Sequence, residues 1–78
     1  GLLVYPNPGT GIFSIGTAAF NGGTLTVFNQ DGAAVKKIQL KGKQSNTSID
    51  LSAEAAGSYI IQVESNGKLY QEKVLLIK

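Results

Sequence analysis

The chain has no cysteine, histidine, tryptophan, methionine or arginine among its 78 residues. Each absence removes a class of answers. Without cysteine no disulfide can supplement a small core, and without cysteine or histidine a Cys/His zinc site cannot form. Nucleophilic catalysis through a Ser–His or Cys–His pair is excluded, and no Ser–Lys or terminal-threonine arrangement replaces it. The missing cysteine says nothing about compartment, since it suits both the cytosol and a secreted chain.

Long apolar runs are also missing. The longest aliphatic stretch is Val74 to Ile77, far below the ~20 residues of a membrane span, so no membrane insertion is expected. The chain opens at Gly1, without methionine and without a basic segment leading into an apolar one. No signal peptide reads there, and the chain looks like the end of a longer polypeptide.

Charge is sparse, at 15% of residues and a net +2. Four lysines (Lys36, Lys37, Lys41, Lys43) cluster in one strand and the loop after it. With no arginine and no aromatic residue between them, they do not make a nucleic-acid surface. They read as a solvent-facing edge strand whose lysines discourage edge-to-edge pairing. Of the carboxylates, Asp50, Glu64 and Glu72 fall at solvent-facing strand positions, and Asp31 and Glu54 in turns, which builds no acid/base pair. Asn29, Asp31 and Asp50 lack the loop of a calcium site. The glycine-rich stretches precede strands rather than helices, so they do not cradle phosphate. No catalytic residue, metal or cofactor is expected, and the chain does not read as an enzyme.

What is abundant is glycine, ten in all, punctuating short alternating segments. Leu2 to Tyr5 is a short strand stopped by Pro6-Asn7-Pro8, a stiff connector that cannot lie inside a sheet. Gly9-Thr10-Gly11 turns the chain into Ile12 to Ile15. Ala18 to Phe20 could add a brief strand. Thr24 to Phe28 sets Leu25 and Val27 on one face. The Asn29-Gln30-Asp31-Gly32 turn leads into Ala34 to Leu40, whose inward residues are either Val35 or Ile38 and Leu40 unless a bulge near Lys36-Lys37 reconciles them. Thr47 to Leu51 points Ile49 and Leu51 inward; Ser52 could cap a single helical turn over Ser52 to Ala56, but five residues are too few for a helix and the segment reads as a tight corner. Gly57 then admits Ser58 to Ser65, with Tyr59, Ile61 and Val63 on one face. Asn66-Gly67 is a hairpin signal joining this strand to Lys68–Ile77. Consecutive apolar residues from Val74 to Ile77 suggest contacts on both faces there.

About seven antiparallel strands without a helix predict an all-β fold, a small Ig-like or fibronectin-like β-sandwich over residues 1–78, with Tyr59 at a tyrosine corner. Four segments in order carry a family resemblance: V-Y-P-N-P-G-T-G (4–11), L-T-V-F-N-Q-D-G-A-A-V (25–35), L-S-A-E-A-A-G-S-Y-I-I-Q-V (51–63) and E-K-V-L-L-I-K (72–78). Together they resemble the type A C-terminal sorting domain of the type IX secretion system, found in secreted proteins of Bacteroidetes. Asn29 stands where the family often has aspartate. The resemblance implies a secretion signal that carries an N-terminal cargo domain through the periplasm to the type IX translocon and across the outer membrane. A sortase-like cysteine peptidase then usually removes it, leaving the cargo at the outer membrane surface or secreted. On this reading Pro6, Asn7, Pro8, Lys73, Val74 and Leu75 serve recognition, and Gly11, Gly32, Gly57 and Tyr59 hold the shape. Two alternatives stand beside it. One is a non-catalytic carbohydrate-binding or spacer module of a secreted hydrolase. The other is an adhesin-like repeat, of which one copy is visible.

Overall fold

Alternation at period two decides the inner strands. In the computed structural model, which describes residues 2–78, the chain forms β1 (Val4–Tyr5), β2 (Ile12–Gly16), β3 (Gly23–Phe28), β4 (Ala34–Leu40), β5 (Asn46–Asp50), β6 (Gly57–Ser65) and β7 (Lys68–Leu76). Two antiparallel sheets result, in the orders β1-β2-β5 and β4-β3-β6-β7. The two sheets share one core and make a small all-β sandwich. The inward residues Leu25, Val27, Tyr59, Ile61, Val63, Val74 and Leu76 share one buried cluster with Phe13, Ile15, Ile49 and Leu51. At the end of the core, Phe20 packs on Tyr70 with ring centroids 4.9 Å apart and planes tilted by 57°.

Local chemistry sets the turns. Asn66 and Gly67 both take positive φ, 53° and 76°, as a two-residue turn that follows the twist of its strands requires. The register runs Ser65↔Lys68 through to Gly57↔Leu76. In the other hairpin Asn29 accepts at Oδ1 from the amides of Asp31 and Ala33, each at 3.0 Å. Its side chain thus organises the loop that Gly32 closes. Buried polar groups are satisfied in the same local way. The Thr17 hydroxyl donates to the Gln44 carbonyl at 3.1 Å and Ser65 donates to the Gly22 carbonyl at 2.8 Å.

Several expectations need correction. Ala18 to Phe20 is a turn rather than a strand, closed by the Phe20 amide on the Thr17 carbonyl at 3.0 Å. Asp50, not Ser52, caps the corner after β5: its Oδ1 accepts from the Ser52 amide at 2.9 Å and from the Ser52 hydroxyl. The apolar run at the end of β7 does not bury both faces. Val74 and Leu76 are buried, whereas Leu75 and Ile77 remain 43% exposed, because none of the described residues covers the outer face of the sheet there. Glu72 shares the inward side with Tyr70 and Val74 and is half-buried rather than solvent-facing. The β4 bulge does form, at Val35, where Val27 pairs with Lys36 but Phe28 pairs with Ala34. It lets Ile38, Leu40 and Val35 all reach the core.

Candidate functional site

The chain leaves β1 at Tyr5 and meets two prolines, neither of which can donate to a ladder. Both the Tyr5–Pro6 and Asn7–Pro8 peptide bonds are cis. The segment abandons the three-stranded sheet and crosses to the far edge of the other one, where Gly9 forms an isolated parallel bridge with Leu76. The Gly9 amide donates to the Leu75 carbonyl at 3.0 Å, and the Ile77 amide donates to the Gly9 carbonyl at 2.8 Å.

Asn7 extends this pairing with its side chain. Its Nδ2 donates to the Lys73 carbonyl at 3.0 Å while its Oδ1 accepts from the Leu75 amide at 3.1 Å. The carboxamide thereby takes the place of a backbone peptide unit beside β7. Its orientation follows from its partners, since a flipped amide would face donor with donor and acceptor with acceptor. Four hydrogen bonds thus close the β7 edge from Lys73 to Ile77.

Glycine is required at position 9 by proximity. A Cβ there would lie 2.6 Å from Cε1 of the buried Phe13 ring and 3.0 Å from the Pro6 carbonyl oxygen. By sequence Gly9 belongs to a Gly9-Thr10-Gly11 turn. Only the approach of the segment to Phe13 shows why no side chain fits.

The six recognition candidates therefore meet at one seam. Pro6, Asn7 and Pro8 are exposed on the crossing segment, and Lys73 and Leu75 are exposed on β7 beside it. Val74 is 1% exposed and points into the core, so it anchors the strand rather than offering a contact. The contact between the crossing segment (the strap, residues 6–9) and β7 is not legible in the sequence, because Asn7 bonds to residues 66 and 68 positions away. No local periodicity signals a pairing over that distance.

Lys73 also faces a second feature. It pairs in register with Ile60, which pairs in turn with Phe28. Together with Asn29, Gln30 and Gln71 these residues line a shallow hollow of about 440 Å³ on the outer face, with Gly32 at its rim and no acidic residue in its wall. Gly32 takes φ +85° with open space around it, as a turn glycine does.

Gly57, Tyr59 and Gly11, expected to hold the shape, sit elsewhere, around the corner into β6. Gly57 takes φ +150° against the Gln30 side chain, a backbone angle that side chains disfavour. The Tyr59 hydroxyl donates to the Ala55 carbonyl. Burial, helped by nearby Glu54, pushes the Tyr59 phenol above its ordinary value. The hydroxyl and amide of Ser52 hold the Asp50 carboxyl below its ordinary value, with a smaller contribution from Lys36. The Gly11 carbonyl accepts from the Leu51 amide at 2.8 Å, tying β2 to this corner, and Lys78 reaches the Ser52 carbonyl at 2.8 Å. Among the described residues no group of three acidic side chains gathers to hold a metal ion.

A comparison with curated proteins finds no match to the chain. A comparison with protein families does: the family described as secretion system C-terminal sorting domain matches residues 3–78, which takes in the crossing segment, the corner and the lysine strand. The chain belongs to the C-terminal sorting domains of the type IX secretion system, the signals that mark a protein for export across the outer membrane.

Proposed function

We propose that residues 1–78 form one sorting domain that travels through the periplasm behind an N-terminal cargo and presents a single recognition surface to the type IX translocon. On this reading the exposed contacts are Pro6, Asn7, Pro8, Lys73 and Leu75, with Val74 holding their strand in the core. A sortase-like cysteine peptidase then removes the domain, and the cargo stays at the cell surface or is secreted. The domain acts as substrate and address, with no catalytic role of its own.

The observation that carries this reading is the two-point hydrogen bond of Asn7 to Lys73 and Leu75. It joins the first and last motifs of the chain into one patch that a receptor can read at once. A stiff, prefolded patch loses little conformational entropy on docking, which favours recognition by short motifs. The ammonium of Lys73 stands beside exposed Leu75, giving a charge next to an apolar contact.

The test is export of a reporter placed between a signal peptide and residues 1–78, in a host that has the type IX system. The intact fusion should reach the surface or the medium. Deletion of residues 73–78 should leave it periplasmic, and Lys73→Glu should lower export while the purified domain keeps its fold. Retention of the intact fusion in the periplasm would overturn the reading.

A further inference from the structure

The edge of β7 is closed over only part of its length. From Lys73 to Ile77 it is occupied by Asn7 and Gly9. Toward Leu69 and Gln71 no strand lies beside it among the described residues, since β7 ends the sheet order. The strap holds its place with one side-chain amide, one backbone bridge and the seating of buried Gly9 on Phe13, while Pro6, Asn7 and Pro8 stay exposed and β1 before it spans two residues. A weakly held segment next to an open stretch of the same edge can be displaced from that side, bond by bond. By contrast, β6 and β3 are paired on both sides.

We propose that the strap is an internal stand-in for a partner strand, and that the β7 edge from Leu69 to Ile77 is a docking site for an extended peptide running parallel to β7. The strap supplies the template. Gly9 pairs in parallel, and Asn7 and Gly9 together use the carbonyls of Lys73 and Leu75 and the amides of Leu75 and Ile77. An incoming strand begins at the open Leu69–Gln71 stretch and takes over those groups as the strap leaves. Backbone bonds then provide affinity and neighbouring side chains selectivity.

The outward side chains define the partner's chemistry. Leu69, Leu75 and Ile77 are 63%, 43% and 43% exposed and flank the single cation Lys73 on the same face. A matching strand carries aliphatic residues toward the leucines and isoleucine and a carboxylate toward Lys73, because opposite charges and apolar pairs across neighbouring strands are favourable. The acid-free hollow at Phe28 and Ile60 leaves that carboxylate without competition. This proposal rests on the seam being the recognition surface.

The first test needs no substitution. Native-state hydrogen exchange on the whole domain should show the amides of Leu75 and Ile77, held by the strap alone, exchanging faster than that of Ile61 on the doubly paired β6. Equal rates would mean that the strap leaves only on global unfolding, which overturns the proposal. In Asn7→Ala the Leu75 amide should exchange about tenfold faster, with Ile61 less affected.

The second test uses a labelled acetyl-Ile-Val-Asp-Val-Ile amide. It should bind Asn7→Ala about tenfold more tightly than the wild type, since less strap must be displaced. Lys73→Glu should shift preference to the same peptide with lysine at its centre. Binding indifferent to both substitutions would overturn the proposal. Where Asn7→Ala unfolds, Asn7→Asp serves, because it keeps the acceptor for the Leu75 amide and sets an anionic oxygen, rather than a donor, against the Lys73 carbonyl. These readouts use no export machinery, so a failed export assay with intact peptide binding would sink the sorting role alone. Normal export without strap opening would sink the docking site alone.

Discussion

At one edge of the four-stranded sheet, β4 carries a bulge at Val35 and an exposed Lys37, followed by exposed Lys41 and Lys43. At the other edge, β7 carries a strap brought from the opposite end of the chain. Both arrangements limit stray strand pairing, but they differ in kind. The lysine edge is defended by its own residues and cannot be switched. The strapped edge is defended by a separate segment and is open when that segment leaves. Protection that a sheet needs permanently is written into the strand itself. Protection that comes from elsewhere in the chain leaves a surface in reserve.

The largest effect should come from forcing the strap off. Gly9→Val puts a side chain into the Phe13 ring, and overpacking of this kind costs about 2–3 kcal/mol. For a domain of this size that lowers the thermal midpoint by roughly 8–24 °C, measurable by circular dichroism. Asn7→Ala leaves the core untouched and removes two exposed hydrogen bonds, for about 1 kcal/mol in urea denaturation. A loss equal to that of Gly9→Val would mean that the strap is part of the core rather than a cover.

Acid should act on the corner and spare the strap, whose contacts are neutral amides. Asp50 sits below its ordinary value of 3.8, so the folded state favours its carboxylate. Its contribution is present above that value and is lost as pH falls through the lower folded one. Asp50→Asn should therefore flatten the acid limb of a pH–stability curve, and the Leu75 amide should keep its protection relative to Ile61. The smallest effect belongs to the lysine edge. Lys37→Val should change stability by less than about 0.5 kcal/mol, yet raise self-association in sedimentation, because the edge loses its charge.

The same division explains what the sequence could reveal. The faces of Thr24–Phe28 and Tyr59–Val63, the Asn66-Gly67 turn and the Tyr59 corner were all legible, since each depends on neighbours within a few residues. The bulge was legible as a conflict between two inward faces of β4, though its position at Val35 was not. Hydrophobicity alone misread Val74–Ile77, because an apolar residue on an edge strand need not be covered. At the corner, Asp50 and Ser52 both have the chemistry of a cap, and only the geometry chooses between them. The prolines marked a break in pairing, but a break does not reveal where the chain goes next. The destination of Asn7 depends on where β7 lies after the whole sandwich has closed.

That crossing has a consequence for how the domain comes into being. The bond between Asn7 and Leu75 spans 68 positions, so the seam cannot form until the last strand has been made and seated. Contacts of such long range are paid for in loop entropy before they return anything, and they close late. A chain truncated at either end lacks the same seam. The finished strap thus reports that everything from β1 to β7 is present and seated: on the proposed reading, a partner at the seam meets only domains that have already folded.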